Sequence, residues 1–348
     1  MFDDMFQKEA AQPVNAYSPE DDELRALVES LRIKISIIGC GGGGSNTVRR
    51  MHQGGVEGVK MVACNTDARH LLSIQAPHKV LLGRSMTKGL GSGSLPEIGQ
   101  RAAEESENEL WKHVDGQNIV FIVAGMGGGT GTGSAPVVAD LAKRAGALTI
   151  GVVTLPFRAE GTVRMANAIK GLERLKEKCD TTIVLQNDRL LELVPKLPLE
   201  AAFRVTDEVL MQSIRGITDA LTKPGLINID FNDLLTIMRN GGMALIGLGE
   251  SSEYGQRAEA CIEEALSSPM LGDVDIRQAK GALVRVIGGE DLTVTEAEKA
   301  ALLVSERVDP RARIIWGCAV HQEIKDSMRV LVVLTGVKFN SIVDSVKR

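Results

Sequence analysis

Residues 125–133 read GMGGGTGTG, after the strand-like run NIVFIVA and before residues that form helix readily. Closely spaced glycines let several backbone N–H groups converge with no Cβ in the way. The N-terminus of the following helix adds a dipole that favours an anion. Thr130, Thr132 and Ser134 add hydroxyl groups. Gly127, Gly128, Gly129, Thr130, Gly131 and Thr132 are therefore candidates for a phosphate cradle. The plain alternative is a glycine loop without a ligand, which the strand–loop–helix setting disfavours.

A second cluster, GCGGGGSN over 39–46, follows the run KISII. Taken alone, its GxGxxG spacing suits a dinucleotide site, and Asp67 nearly fits the acid expected at the end of the next strand. A dehydrogenase leaves the larger loop unexplained. No GxxxxGK[ST] occurs, which disfavours an ordinary P-loop ATPase. A third segment, GRSMTKGLGSG over 83–93, carries Lys88 among its glycines. Three glycine loops after three strands fit one extended phosphate site at the C-terminal ends of an open α/β sheet.

A fourth feature, NIDFND over 228–233, holds Asp230 and Asp233 three apart at a loop-to-helix junction. Aspartate at a helix start often serves as a cap. The same pair can polarise a water for attack on a terminal phosphate.

The elements that must position these groups are legible from periodicity. KISIIG, MVACN, KVLLG, NIVFIVAG, LTIGVVTL and TTIVLQN are short β-branched runs, and helical stretches such as Ala135–Arg144 and Val163–Lys178 lie between them. That alternation predicts an α/β domain with a largely parallel, Rossmann-like sheet. Glu200–Leu221 is amphipathic, with Phe203, Val209, Leu210, Ile214, Ile217 and Leu221 on one expected buried stripe, and Lys223-Pro224-Gly225 ends it. Helical Phe231–Arg239, the run GMALIGLGE, a helix near Gln256–Leu266 and the runs ALVRVIGG, RIIWGCAV and RVLVVLTG predict a second, α+β domain. The expected organisation is an N-terminal extension (1–31), a nucleotide-binding domain (32–199), a connecting helix (200–222), an α+β domain with the acidic loop (223–338) and a short tail (339–348). Within the extension, Ser18-Pro19-Glu20-Asp21 has the residues of a helix start.

A net charge of -5 argues against a general nucleic-acid or anionic-membrane binder. No apolar run approaches the ~20 residues of a membrane span. The acidic first residues lack a signal-peptide pattern, so a cytoplasmic location without direct membrane insertion is expected. The five cysteines form no CxxC pair and are expected to be buried free thiols.

Gly41 to Asn46, Asn65-Thr66-Asp67, Thr87-Lys88-Gly89-Leu90-Gly91, Gly125 to Gly133, Asn187-Asp188 and Asn228 to Asp233 stand in the order found in the FtsZ family, which this chain resembles from about Ile33 to about Val337. FtsZ proteins are prokaryotic, tubulin-like cell-division GTPases, and the N-terminal arm resembles that of archaeal members. The resemblance implies GTP/GDP and Mg²⁺ as ligands. It assigns Gly42, Gly43, Gly44, Ser45 and Asn46 to a first nucleotide loop, with Asn46 reaching toward the base, and adds Asn65 and Asn187 to the site. Gly129, Thr130 and Gly131 match the signature loop on the phosphates. Glu160 and Arg164 match contacts to the ribose and nearby phosphate. Phe203 matches an aromatic stacked on guanine, and Asp207 a reader of the guanine edge, where a carboxylate accepts from N1–H and N2–H. Asp67 becomes a candidate outer acid for Mg²⁺, itself held by phosphate oxygens and water.

For the acidic loop the resemblance implies action in trans. Asp230 and Asp233, with Asn228 near the γ-phosphate, complete the site of the next subunit in a head-to-tail homopolymer, so hydrolysis follows assembly. The expected setting is the division site, where a membrane-tethering division protein is a further expected partner. VKFNSIVDSVKR is shorter than the linker and docking peptide of many relatives. Two other departures are Ser45 in place of a more usual glycine and Arg239-Asn240-Gly241-Gly242-Met243 in place of a stretch with an aromatic. The alternative function is a tubulin-superfamily GTP-binding scaffold or cell-shape regulator that hydrolyses weakly.

Overall fold

The computed structural model describes residues 32–338 apart from 194–197, 224, 254, 272–273 and 323. The extension over 1–31, with the helix read from Ser18, and the tail over 339–348 lie outside the described residues.

Six strands, β1 (Ile35–Cys40), β2 (Val59–Asn65), β3 (His78–Leu81), β4 (Ile119–Gly125), β5 (Leu148–Leu155) and β6 (Thr181–Gln186), pair in parallel in the order β3-β2-β1-β4-β5-β6. β1 and β5 are buried along their whole length, which is why they read as continuous apolar runs rather than as alternating ones. Successive residues still serve opposite faces. Ile38, Val62, Ile122 and Val153 join one apolar layer, and Ile37, Met61, Phe121 and Val152 join the other.

The connecting helices are α1 (Gly41–Gln53), α2 (Ala68–Ser73), α3 (Arg84–Thr87), α4 (Pro96–Glu105), α5 (Glu107–Val114), α6 (Thr130–Arg144), α7 (Thr162–Lys178) and α8 (Asn187–Leu193). α6 begins five residues before the expected Ala135. TGTGS has the composition of a loop, yet it is helical because Gly131 and Gly133 let the first turn press onto neighbouring backbone, where a Cβ would stand 2.8 Å from Gly125 O and 2.1 Å from Pro96 O.

α9 (Leu199–Thr222) lays Leu210, Ile214 and Ile217 onto the second layer. Val209 and Leu221 are half-buried there. Phe203 departs from the expected stripe and is 39% exposed. At its end of α9 it meets Phe157 in a T-shaped contact, with ring centroids 5.0 Å apart.

After α9 come α10 (Phe231–Met238), β7 (Gly242–Ser251), α11 (Arg257–Leu266), β8 (Gly281–Gly288), α12 (Val294–Ser305), β9 (Arg313–Val320) and β10 (Met328–Thr335). These strands extend the sheet in the order β6-β7-β10-β8-β9. β7 joins β6 in parallel through a short register, Thr181↔Gly242 to Ile183↔Ala244. β10 runs antiparallel to both β7 and β8, and β9 parallel to β8. All five cysteines are free and buried. No described helix is long and apolar enough to cross a membrane.

Candidate functional site

β1 and β4 are parallel neighbours, with Cys40 opposite Ala124, so the helices that follow them start at one place. β1 runs directly into α1, and β4 reaches α6 through residues 126–129. The two starts touch through backbone. Gly41 has φ +71, and a Cβ there would lie 2.6 Å from Gly131 N. Gly127 has φ +103 and would bring a Cβ to 2.8 Å from Arg164 O. Only glycine meets both demands. Each helix start leaves N–H groups without an intrahelical partner. Gly42 and Gly43 are exposed and Gly128 half-exposed, whereas Gly44 and Gly129 are buried in the framework. Two adjoining helix starts with open glycine backbone form a concavity suited to phosphate.

Hydroxyl groups brace this concavity. Thr130 Oγ1 lies 2.6 Å from Thr66 Oγ1 and 3.0 Å from Ser92 Oγ. Thr132 Oγ1 accepts from Gly127 N at 2.8 Å, and Ser134 Oγ donates to Thr130 O at 2.6 Å. Ser45 is fully buried, and its hydroxyl is directed at Cys64 O, 3.5 Å away.

The end of β2 forms one wall. Asn65 Oδ1 accepts from Asp67 N at 3.2 Å, and Asn65 Nδ2 stands 3.0 Å from His70 Nδ1. Asp67 Oδ1 caps α2, accepting from Arg69 N at 2.9 Å and His70 N at 3.0 Å. The third glycine segment is tied on here, with Ala68 N donating to Gly89 O at 3.0 Å and Gly91 N to Thr66 O at 3.1 Å.

Beyond β5 and β6 lies the other wall. Glu160 pairs with Arg164 at 2.8 Å and accepts from Phe157 N at 2.9 Å. The Arg164 guanidinium borders Gly128 of the signature loop, 3.8 Å from where a Cβ on that glycine would stand. Asn187, next after β6, is buried, and its Oδ1 has no hydrogen-bond partner. Such an orphan is uncommon in a folded chain and marks a place for an outside donor. Asp207 on α9 faces α1. Its Oδ1 accepts from Thr47 Oγ1 at 3.3 Å, and its Oδ2 stands 2.9 Å from Arg50 Nε, a charge contact that is not an aligned hydrogen bond. Burial raises the Asp207 carboxyl above its ordinary value, opposed by the Arg50 charge and the Thr47 hydroxyl. Asn46 is half-buried beside Thr47 on α1.

The candidate residues on α1, after β2, after β4 and after β5 and β6, with Phe203 and Asp207 of α9, thus border one edge of the sheet. Asn228, Asp230 and Asp233 do not. α10 is anchored at the opposite edge, where Thr181 Oγ1, at the first residue of β6, donates to Met238 O, and Gly242 N donates to Asp180 O. Along β6 alone the two edges are about 17 Å apart, at ~3.3 Å per residue. All three residues are exposed. Asn228 Oδ1 accepts from Gly225 N at 2.7 Å, and Asp230 caps α10 by accepting from Asn232 N at 2.9 Å. Asp233, in the first turn, has a free-standing carboxylate among the described residues. The cap and the chemical reading of this pair are thus compatible.

Thr66, Ser92 and His70 join the site although none was singled out as a site residue. Thr66 and Ser92 meet Thr130 only through folding, whereas adjacency to Asn65 and Asp67 was the available signal for His70. Among the described residues no group of three or more His, Cys, Asp or Glu is arranged to hold a metal ion.

Residues 34–195 match the Tubulin/FtsZ family GTPase domain, and residues 242–338 match the FtsZ family C-terminal domain. The cell division protein FtsZ of Haloferax mediterranei is 53% identical over 318 residues, covering 91% of this chain and 84% of that protein. A solved FtsZ dimer from M. jannaschii is 50% identical with a TM-score of 0.87, covering 92% of this chain and 93% of that one. A GTPgS-bound protofilament of CetZ2 from Haloferax volcanii is 25% identical with a TM-score of 0.76, covering 90% and 96%. Two family domains in the expected order, and about half of the residues shared over nine-tenths of the length, identify the chain as a member of the FtsZ family of tubulin-like proteins, bearing that family's GTPase domain.

Proposed function

We propose that the protein binds GTP in the glycine cradle, assembles head to tail and hydrolyses GTP at a site completed by the next subunit, in the service of cell division. The observation that carries this reading is the separation of the two halves of the chemistry. The phosphate cradle borders the C-terminal edge of the parallel strands, and the exposed acids lie at the N-terminal edge. A water held between Asp230 and Asp233 cannot reach a phosphate on its own chain's cradle. Stacked molecules bring the acids of one to the phosphates of the next, a heterologous contact that repeats without closing. The solved FtsZ dimer and CetZ2 protofilament are in keeping with such stacking.

Guanine fits the far end of the cradle. Phe203 offers a partly exposed aromatic ring, Asn187 Oδ1 an unpaired acceptor, and Asp207 two carboxylate oxygens for N1–H and N2–H. Arg50 favours the ionised Asp207 against its burial, as this pairing requires. Glu160 and Arg164 flank the ribose and first phosphates, and the α1 and α6 starts hold the phosphate chain. Mg²⁺ would be held by phosphate oxygens and water, neutralising charge on the leaving diphosphate, with Asp67 in its outer sphere. Asp230 and Asp233, with Asn228 beside them, orient and deprotonate the water. Its oxygen bonds to the γ-phosphorus as the bond to the bridging oxygen breaks, giving GDP and phosphate. Loss of the γ-phosphate removes contacts that favour the assembled junction and so couples turnover to filament exchange.

In this reading residues 32–199 act as the nucleotide domain, 200–222 as the connector and 223–338 as the domain that supplies the acidic loop. The polymer would form the ring at the division site, joined to the membrane by a tethering protein. Asp233→Ala should abolish turnover while GTP affinity stays within about twofold, because an exposed carboxylate at the opposite edge contributes nothing to the cradle. Loss of binding in that variant would show that the loop acts within its own chain.

A further inference from the structure

We infer that His70 is a γ-phosphate ligand, an Nε2–H donor that lets the cradle tell GTP from GDP. The inference rests on the nucleotide reading above and adds a group to it.

Three observations carry it. The first is the proton's place on the ring. Asn65 Oδ1 is occupied by Asp67 N–H, which turns the amide nitrogen Nδ2 toward His70 Nδ1 at 3.0 Å. An amide nitrogen only donates, so Nδ1 accepts, and the neutral ring carries its hydrogen on Nε2. The second is the place of that side of the ring. Outside α1's own backbone and Gly42's chain neighbours, His70 Nε2 and Cε1 are the atoms nearest to where a Cβ on Gly42 would stand, each at 4.0 Å. Gly42 is an exposed glycine in the first turn of α1. The ring therefore borders the open space over the α1 N-terminus, where N–H groups await an anion.

The third observation is the order of strands, β2-β1-β4-β5-β6. The candidate base-binding groups, Phe203 near Phe157 and the orphaned Asn187, lie after β5 and β6. The two helix starts follow β1 and β4. A nucleotide laid from the base side across those starts directs its last phosphate toward the end of β2, where α2 begins and carries His70. Backbone N–H groups of α1 and α6 serve every phosphate they reach. His70 stands at the distal end, where only a triphosphate extends. Asn65, in turn, acts on the nucleotide by positioning His70.

The test measures GTP and GDP binding by the full chain, below the concentration at which it assembles, for wild type, His70→Ala and His70→Gln. Glutamine can present an N–H donor close to the place of Nε2. Alanine should weaken GTP binding about tenfold and GDP binding less than about twofold, the loss expected for one donor to a charged oxygen. Glutamine should stay within about threefold of wild type for both. Equal losses on the two nucleotides, or no loss on GTP, would overturn the assignment. If the alanine variant melts below the assay temperature, His70→Glu replaces it. That side chain matches glutamine in size but repels phosphate, so its GTP loss must exceed its GDP loss. Wild-type protein that binds neither nucleotide would instead defeat the nucleotide reading itself.

Discussion

Replacing Gly42 by alanine separates the work of the cradle from the work of the fold. Gly42 lies within α1, away from the positive-φ region, and outside α1's own backbone and its chain neighbours the atoms nearest to its missing Cβ are in the His70 ring at 4.0 Å. The methyl group meets nothing it must displace. Alanine in a helix is also favoured over glycine by about 0.5–1 kcal/mol, so the melting temperature should hold or rise. The open space beside Gly42 is, however, where a phosphate oxygen would approach the α1 N–H groups to ~2.7–3.2 Å. A methyl there displaces at least one hydrogen bond to a charged acceptor, worth about 1.5–3 kcal/mol. GTP affinity should fall about 10- to 150-fold. Calorimetric titration with GTP, beside a thermal melt of the ligand-free chain, reads both quantities. Unchanged affinity in a stable variant would refute phosphate binding at the α1 start. A large drop in melting temperature would show that the glycine serves packing instead.

Further outcomes follow from the same geometry. As pH falls through the raised value of the Asp207 carboxyl, its proton removes an acceptor for guanine, so GTP affinity should fall with it. Fold stability shifts the other way there, because the folded chain takes that proton more readily than the unfolded one. Asp207→Asn should flatten the binding profile and move preference toward xanthosine triphosphate, whose edge presents one donor and one acceptor. Gly44→Ala places a Cβ 2.1 Å from Val123 O, between α1 and β4, and should cost about 1–3 kcal/mol or more, seen as a lower denaturation midpoint. The thiols of Cys40, Cys179 and Cys261 are pushed up to about 12 by burial, so the native protein should react with almost no thiol reagent at pH 8 and with all five cysteines once unfolded.

Much of the sheet was legible in the sequence because central strands such as β1 and β5 are buried on both faces. LTIGVVTL is the whole of β5, and RIIWGCAV is the whole of β9 although that edge strand is only partly buried. The glycine clusters announced the cradle because phosphate binding demands bare backbone. Less was legible where folding joins distant residues. Nothing in PEIGQRAAEE signalled that α4 packs so closely on the signature loop that a Cβ on Gly99 would strike Gly129 O. The start of α6 was hidden because TGTGS resembles a loop, and its close backbone contacts exist only in three dimensions. Phe203 shows the limit of helical periodicity. Its spacing fits the buried stripe of α9, but at the place it reaches it packs beside Phe157 and stays 39% exposed. His70 has no spacing rule of its own and became visible only through Asn65 and Gly42.

The central claim is that one molecule holds the phosphates and its neighbour holds the acids. GTP turnover per molecule, followed against protein concentration at saturating GTP and Mg²⁺ with light scattering recorded alongside, tests it most directly. The account predicts almost no turnover at low concentration, then a steep rise at the concentration where scattering appears. The same turnover per molecule at every concentration, with no assembly, would contradict it.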